Sequence, residues 1–181
     1  MKMRSHKLAA GCSVLAVIGI LVSKYPDEIR TTQQGLEIIG QAEGCRKYPY
    51  KCPAGVLTVG IGSTEAGGDL IKRKVYTHEE IADRWVKDIH KAEECVNRFA
   101  NGDNLPQGAF EAATSITFNV GCGTMKKSTL FKYARAGKIK AMCNEFTKWK
   151  YSNGRVLNGL VIRREKEKQL CLAGYSSQSG Q

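Results

Sequence analysis

Within a short stretch of this chain stand three side chains able to do covalent or acid–base chemistry: Glu43, then after eight intervening residues Cys52, then after five more Thr58. A carboxyl whose surroundings keep it protonated can donate to a leaving oxygen. A thiolate is a strong nucleophile toward an electrophilic carbon, and it can also activate water. A hydroxyl can orient that water. Taken singly, each residue has an ordinary explanation. A helix-end Glu is usually solvated, a Cys in a Pro-containing loop usually pairs in a disulfide, and Thr is a common strand residue. The question is whether neighbouring elements bring them to one cleft.

The pattern around them predicts those elements. Residues 27–43 carry Ile29, Leu36, Ile39 and Ala42 at helical spacing, so a helix is expected to end at Glu43. From Gly44 to Gly68 the helical period disappears. Aromatic and β-branched runs cut by Gly and Pro predict a small antiparallel sheet, with Cys52 in a loop and Thr58 on a strand. Thr77-His78-Glu79-Glu80 is a capping box. Ile81, Trp85, Ile89, Ala92, Val96 and Phe99 follow it at steps of three and four, which predicts a long amphipathic helix. Further helices are expected over 106–120, over 130–134 capped by Ser128, and around 139–149 and 159–172. The class is α+β: a small early sheet and a larger helical part joined by the long helix.

Composition narrows the function. At 181 residues with 42% hydrophobic content, the chain is a single folded domain of ordinary size. Its net charge of +11 calls for an anionic partner such as nucleic acid, lipid headgroups or cell-wall polymer. No nucleic-acid motif is present, so nucleic acid is not expected. His6, His78 and His90 have no Cys or His at zinc spacing, and Gly60-Ile61-Gly62 is too short for a phosphate loop, so neither a metal nor a cofactor is expected. Lys2, Arg4 and Lys7 precede residues 8–23, which carry no charge. As a helix this run rises about 24 Å, short of a bilayer core of roughly 30 Å, and it is diluted by Gly, Ala and Ser. No small-residue cleavage pattern follows it. Cys12 precedes rather than follows the apolar stretch, which argues against lipidation. The reading is an uncleaved, weakly held membrane segment within 1–25, a domain over 26–175 outside the cytoplasm, and a polar tail over 176–181.

Glu43-Gly44, Thr58-Val59-Gly60-Ile61-Gly62, Phe118-Asn119-Val120-Gly121 and the run from Leu157 to Glu165 together resemble the phage-type lysozymes over roughly residues 27–174. In that family the spacing found here joins Glu, Asp and Thr, so Cys52 stands where the family usually has Asp. Together with the weakly apolar N-terminus, a cysteine at this place is similar to the signal-arrest-release endolysins. The resemblance implies a lysozyme-like fold and hydrolysis of the β-1,4 bond between N-acetylmuramic acid and N-acetylglucosamine in peptidoglycan, leading to host lysis. Glu43 would be the acid and Cys52 the second group across the cleft, with Thr58 assisting. Phe118, Asn119 and Thr129 fall where family members line the saccharide cleft. Ser63 replaces the family's usual His, which is expected to loosen the hairpin. Arg163-Arg164 reads as a structural ion-pair element. The molecule is expected to be a monomer, tethered to the host inner membrane through residues 8–23 with its catalytic domain in the periplasm, and then released there. The rival enzyme reading, a cysteine peptidase, finds no His in a Cys–His context and leaves Glu43 idle. A basic binding module would survive Glu43→Gln.

Seven cysteines fit an oxidising compartment. A Cys45–Cys52 bridge would close over the site and silence it. Cys12, shielded in the bilayer, could attack Cys45 after release and free the Cys52 sulfur by exchange. The other four, Cys95, Cys122, Cys143 and Cys171, can form two bridges in three ways, of which Cys122 with Cys143 and Cys95 with Cys171 is preferred.

Overall fold

The computed structural model describes residues 11–52 and 55–176. Lys2, Arg4 and Lys7, the start of the apolar segment, loop residues 53–54 and the tail after Ser176 lie outside them. The first helix, α1 (Val14–Lys24), is capped by the Ser13 hydroxyl, which accepts from the Ala16 amide at 3.2 Å. Among the described residues no helix is long and apolar enough to cross a membrane. Instead α1 packs on the protein, burying Val17, Ile18 and Leu21.

The next helix, α2 (Gln33–Glu43), begins six residues later than the periodicity predicts. Two carboxylates from other helices stop it there. Glu93 accepts from the amides of Arg30 and Thr31, at 3.0 and 2.6 Å, and from the Thr31 hydroxyl; Glu111 accepts from the Thr32 amide at 2.8 Å. These anions satisfy orphan donors at the helix start and complement its dipole.

Strands β1 (Arg46–Lys51), β2 (Leu57–Gly60) and β3 (Ser63–Thr64) form the expected antiparallel sheet in chain order. Tyr50 pairs with Thr58, and Val59 with Ser63. Ser63, at the position where a looser hairpin is expected, is buried and pairs with Val59. The long helix α3 (His78–Ala100) starts at the Thr77 capping box. Its first half joins Leu36, Ile39, Val59, Ile61 and α1 in one core; its second half, through Val96 and Ala100, joins Phe110, Ile116, Phe131 and Phe146 in another. One helix thus holds two lobes at a fixed separation, and the cleft lies between them.

The helical lobe consists of α4 (Gln107–Val120), α5 (Cys122–Met125), α6 (Thr129–Arg135, capped by Ser128) and α7 (Ile139–Glu145). A hairpin of β4 (Tyr151–Ser152) and β5 (Arg155–Val156) then leads into α8 (Asn158–Ser176). That hairpin is absent from the sequence reading, although Asn153-Gly154, both at positive φ, is the usual two-residue hairpin turn. Disulfides join Cys95 to Cys122 and Cys143 to Cys171. The expected partition is therefore wrong. The start of α5 lies against α3 and α7 lies against α8, contacts between elements that residue spacing does not encode.

Candidate active site

Glu43 is the last residue of α2, where Gly44 turns the chain at φ +72° into β1. Its carboxyl is not wrapped in apolar surface. Arg163 of α8 donates from Nη1 to Glu43 Oε1 at 2.7 Å and is itself buried. The other oxygen, Oε2, faces Gly62, where an added Cβ would lie 3.3 Å from it and 3.4 Å from the Phe118 ring. Any side chain at Gly62, which also has φ +74°, would crowd the carboxyl.

The guanidinium of Arg163 is held on all sides. Nε donates to Glu167 Oε1 at 3.1 Å, and Nη2 to the Ser115 carbonyl at 2.9 Å and, more weakly, to its hydroxyl. Burial pushes the Glu167 carboxyl up against the opposing pull of Arg164 and Arg163. Burial likewise pushes Arg164 down to about 10. Arg163–Arg164 is thus the ion-pair element expected. Its grip on Glu43 is a contact the sequence reading missed, because the partners are 120 residues apart.

Cys52 follows β1, and its amide donates to the Val56 carbonyl at 2.9 Å, extending the hairpin pairing by one residue. It is outside all three disulfides. Cys45 is bonded instead to Cys12, which immediately precedes the Ser13 cap of α1. Thr58 is buried on β2, and its hydroxyl donates to the Val56 carbonyl at 3.0 Å, so its lone pairs are left as acceptors. Side chains alternate along a strand, so Tyr50, its cross-strand partner Thr58, and Cys52 share one face of the hairpin. Burial pushes the Tyr50 phenol up; Arg46, stacked on its ring at 4.3 Å, opposes this, while the charges of Glu43 and Cys52 add to it. Tyr50 therefore stands within the electrostatic field of both candidate groups.

Two grooves meet at Asn119. One, of about 440 Å³, is lined by Glu43, Arg163, Leu157 and Lys166; the other, of about 500 Å³, by Gly62, Phe118, Asp88 and Lys91. Asn119 commits its side-chain oxygen to Arg164 Nη2 at 2.7 Å, which leaves its amide to face the cleft. Phe118 and Asn119 are therefore brought to the site. Thr129, exposed at the start of α6, lines neither groove. Among the described residues no group of His, Cys, Asp or Glu is arranged to hold a metal.

Residues 40–167 match the phage lysozyme family. The SAR-endolysin of Escherichia phage P1 is 41% identical over 181 residues, covering 93% of this chain and 96% of that protein. The solved structure of the active form of P1 phage endolysin Lyz superposes with a TM-score of 0.82 at 41% identity, over 91% of this chain and 96% of that one. The secreted inactive form of the same endolysin reaches 0.57 at 43% identity, over 80% and 97%.

Proposed function

Because the chain belongs to the phage lysozyme family and is a glycoside hydrolase acting on peptidoglycan, we propose that it cleaves the β-1,4 bond between N-acetylmuramic acid and N-acetylglucosamine with Glu43 as acid and Cys52 as the group across the cleft. The observation that carries this reading is the anchoring of Glu43. Arg163 fixes Oε1, and Oε2 is left facing the floor of the inter-lobe cleft beside Gly62 and Phe118. There the carboxyl can hand its proton to the glycosidic oxygen as the bond to the anomeric carbon breaks. Cys52 then either attacks that carbon through sulfur or draws a proton from an attacking water, with Thr58 as acceptor for the water. Phe118 and the amide of Asn119 contribute the wall against which the sugar rings lie, while Thr129, outside both grooves, is left without a part in it.

The second half of the proposal is control. The uncleaved segment over residues 8–23 tethers the chain to the host inner membrane with the catalytic domain in the periplasm, and a Cys45–Cys52 bridge keeps it silent. After release, the Cys12 thiolate attacks the Cys45 sulfur, the Cys12–Cys45 bond forms, and the pair of electrons leaves on the Cys52 sulfur. Supporting this are the Cys12–Cys45 bridge, which takes Cys45 away from Cys52, and the greater likeness to the active than to the inactive form of the P1 endolysin. A monomer suffices, since every residue in the scheme comes from one chain. The test is turbidity clearing of purified peptidoglycan with mass spectrometry of the released ends. Muramic acid at the new reducing end is the expected product; cleavage within the stem peptides would overturn the reading.

A further inference from the structure

The hairpin carries a second groove system, separate from the two grooves that meet at Asn119. Lys51 pairs across the hairpin with Leu57, one position removed from the Tyr50–Thr58 pair, and so lies on the face opposite Thr58. A groove of about 760 Å³ runs along the hairpin, taking Lys51 and Leu57 from that face and Tyr50 from the other, together with Tyr48, Arg73 and Lys74; Glu43, Cys52 and Thr58 are not among its lining residues. It shares Tyr48, Tyr50 and Val75 with a neighbour of about 470 Å³, which adds Arg46 and Lys47 and runs to the Cys12–Cys45 bridge. No Asp or Glu is among the described residues lining either groove. Lys74 has an ion-pair partner in Glu80, but Lys51 and Arg73 have none among the described residues. Tyr48 is 60% exposed and Val75 50%, so aromatic and apolar surface meets water beside these uncompensated cations.

We propose that this groove is a second binding site for the wall polymer, holding an anionic glycan strand away from the cleft where cleavage occurs. The proposal rests on the peptidoglycan-hydrolase reading and adds an exosite to it. Tyrosine rings offer flat apolar faces to the C–H faces of sugar rings, and the surrounding cations match the carboxylates of stem peptides. Other occupants fit less well. The chain's own first residues carry Lys2, Arg4 and Lys7, the same sign as the groove, and a second copy brings another +11. A lipid surface is broad, whereas these tyrosines and cations line a channel. A strand held here would keep the enzyme on an insoluble substrate between cuts, an effect of local concentration.

The test uses the Glu43→Gln chain, which is expected to bind without cutting, sedimented with purified sacculi. Tyr48→Ala with Arg73→Glu should weaken sacculus binding at least tenfold and reduce its salt sensitivity, and Tyr48→Phe with Arg73→Lys should retain it. In the otherwise native chain, the first pair should slow clearing of intact sacculi about fivefold while cleavage of short soluble glycan fragments keeps the parent rate. Unchanged sedimentation overturns the exosite, as does a loss seen only with phosphatidylglycerol–phosphatidylcholine vesicles. Equal slowing on both substrates also overturns it, by placing the defect in the cleft. Failure of the parent to release reducing ends would sink the hydrolase reading instead, and the sedimentation arm would still decide the groove.

Discussion

One guanidinium, that of Arg163, serves four acceptors on three residues, and one of them is the carboxyl on which the proposed chemistry turns. Lysine at this position would keep the charge but not the planar fork. Arg163→Lys is expected to lower wall hydrolysis at least tenfold, because Glu43 loses its fixed orientation. It should also cost about 2 kcal/mol of stability through hydrogen bonds lost to buried partners, seen as a melting temperature lower by roughly 5 °C. A variant with native melting and native clearing would remove Arg163 from both roles. Glu43→Gln should fold normally and lose nearly all hydrolysis, since an amide cannot protonate the leaving oxygen; a tenth of native activity would move the acid elsewhere. At Cys52 the informative comparison is between two replacements. Cys52→Asp restores the carboxylate usual in the family and should retain part of the activity, whereas Cys52→Ser supplies a neutral hydroxyl and should be crippled. Equal clearing by the serine and native forms would exclude the sulfur from the mechanism.

At the scale of elements, the attachment of α1 is the least expected part of the structure and the easiest to perturb. Its last residue, Lys24, donates to Asp83 Oδ1 at 2.6 Å, and Tyr25 adds a second bond to the same oxygen at 2.8 Å. Partial burial of Asp83 acts to raise its carboxyl, but these two bonds outweigh it and hold the group below the usual range. A carboxyl held lower in the docked state stabilises docking above its ordinary range, near pH 4, and that contribution is lost as pH falls through the lower value. Asp83→Asn should therefore speed tryptic cleavage after Lys24 at neutral pH. It should also lower the melting temperature by a gap that closes as pH falls below the ordinary carboxylate range; a gap independent of pH would mean that the charge is irrelevant. The sequence foretold the local features well: the sheet, the Thr77 capping box, the Ser128 cap and the long α3 all follow from neighbours within a few residues. It misled wherever distant partners decide the outcome. The start of α2 is set by Glu93 and Glu111, the disulfide partition by which helices touch, and the grip on Glu43 by a residue of α8. The places of Glu43 at a helix end and of Cys52 and Thr58 in one hairpin were legible because near neighbours decide them. The docking of α1 was not, since an apolar run suits a bilayer and a protein core equally.

In the switch proposed above, that double suitability sets the direction. In the proposed tethered state Val17, Ile18 and Leu21 would already be out of water, so docking them would gain little there. After release the same three side chains face water, and burying them contributes roughly 6 kcal/mol, which favours docking only once the segment has left the membrane. Docking also delivers the thiol, because Cys12 immediately precedes the cap of α1 and Cys45 immediately follows the turn at Gly44. Helix seating and disulfide exchange are then one event. The seat depends on Gly40 of α2: a Cβ there would lie 2.4 Å from Val14 Cγ1, far inside contact distance, and 3.4 Å from the Trp85 ring. Gly40→Ala should therefore hinder exchange without touching a thiol. Released protein carrying it should accumulate Cys45–Cys52, with Cys52 slow to alkylate and clearing of the wall delayed several-fold. Val14→Ala in the same chain removes the opposing methyl groups and should restore both. Cys12→Ser should stay silent after release unless reductant is added, and Cys45→Ser should be active while still tethered. Non-reducing peptide mapping of tethered and released pools checks each case. If Cys52 alkylates equally in both pools of the native chain, or Gly40→Ala exchanges at the native rate, then seating of α1 does not govern the sulfur and the switch must be abandoned, with the cleft chemistry left standing.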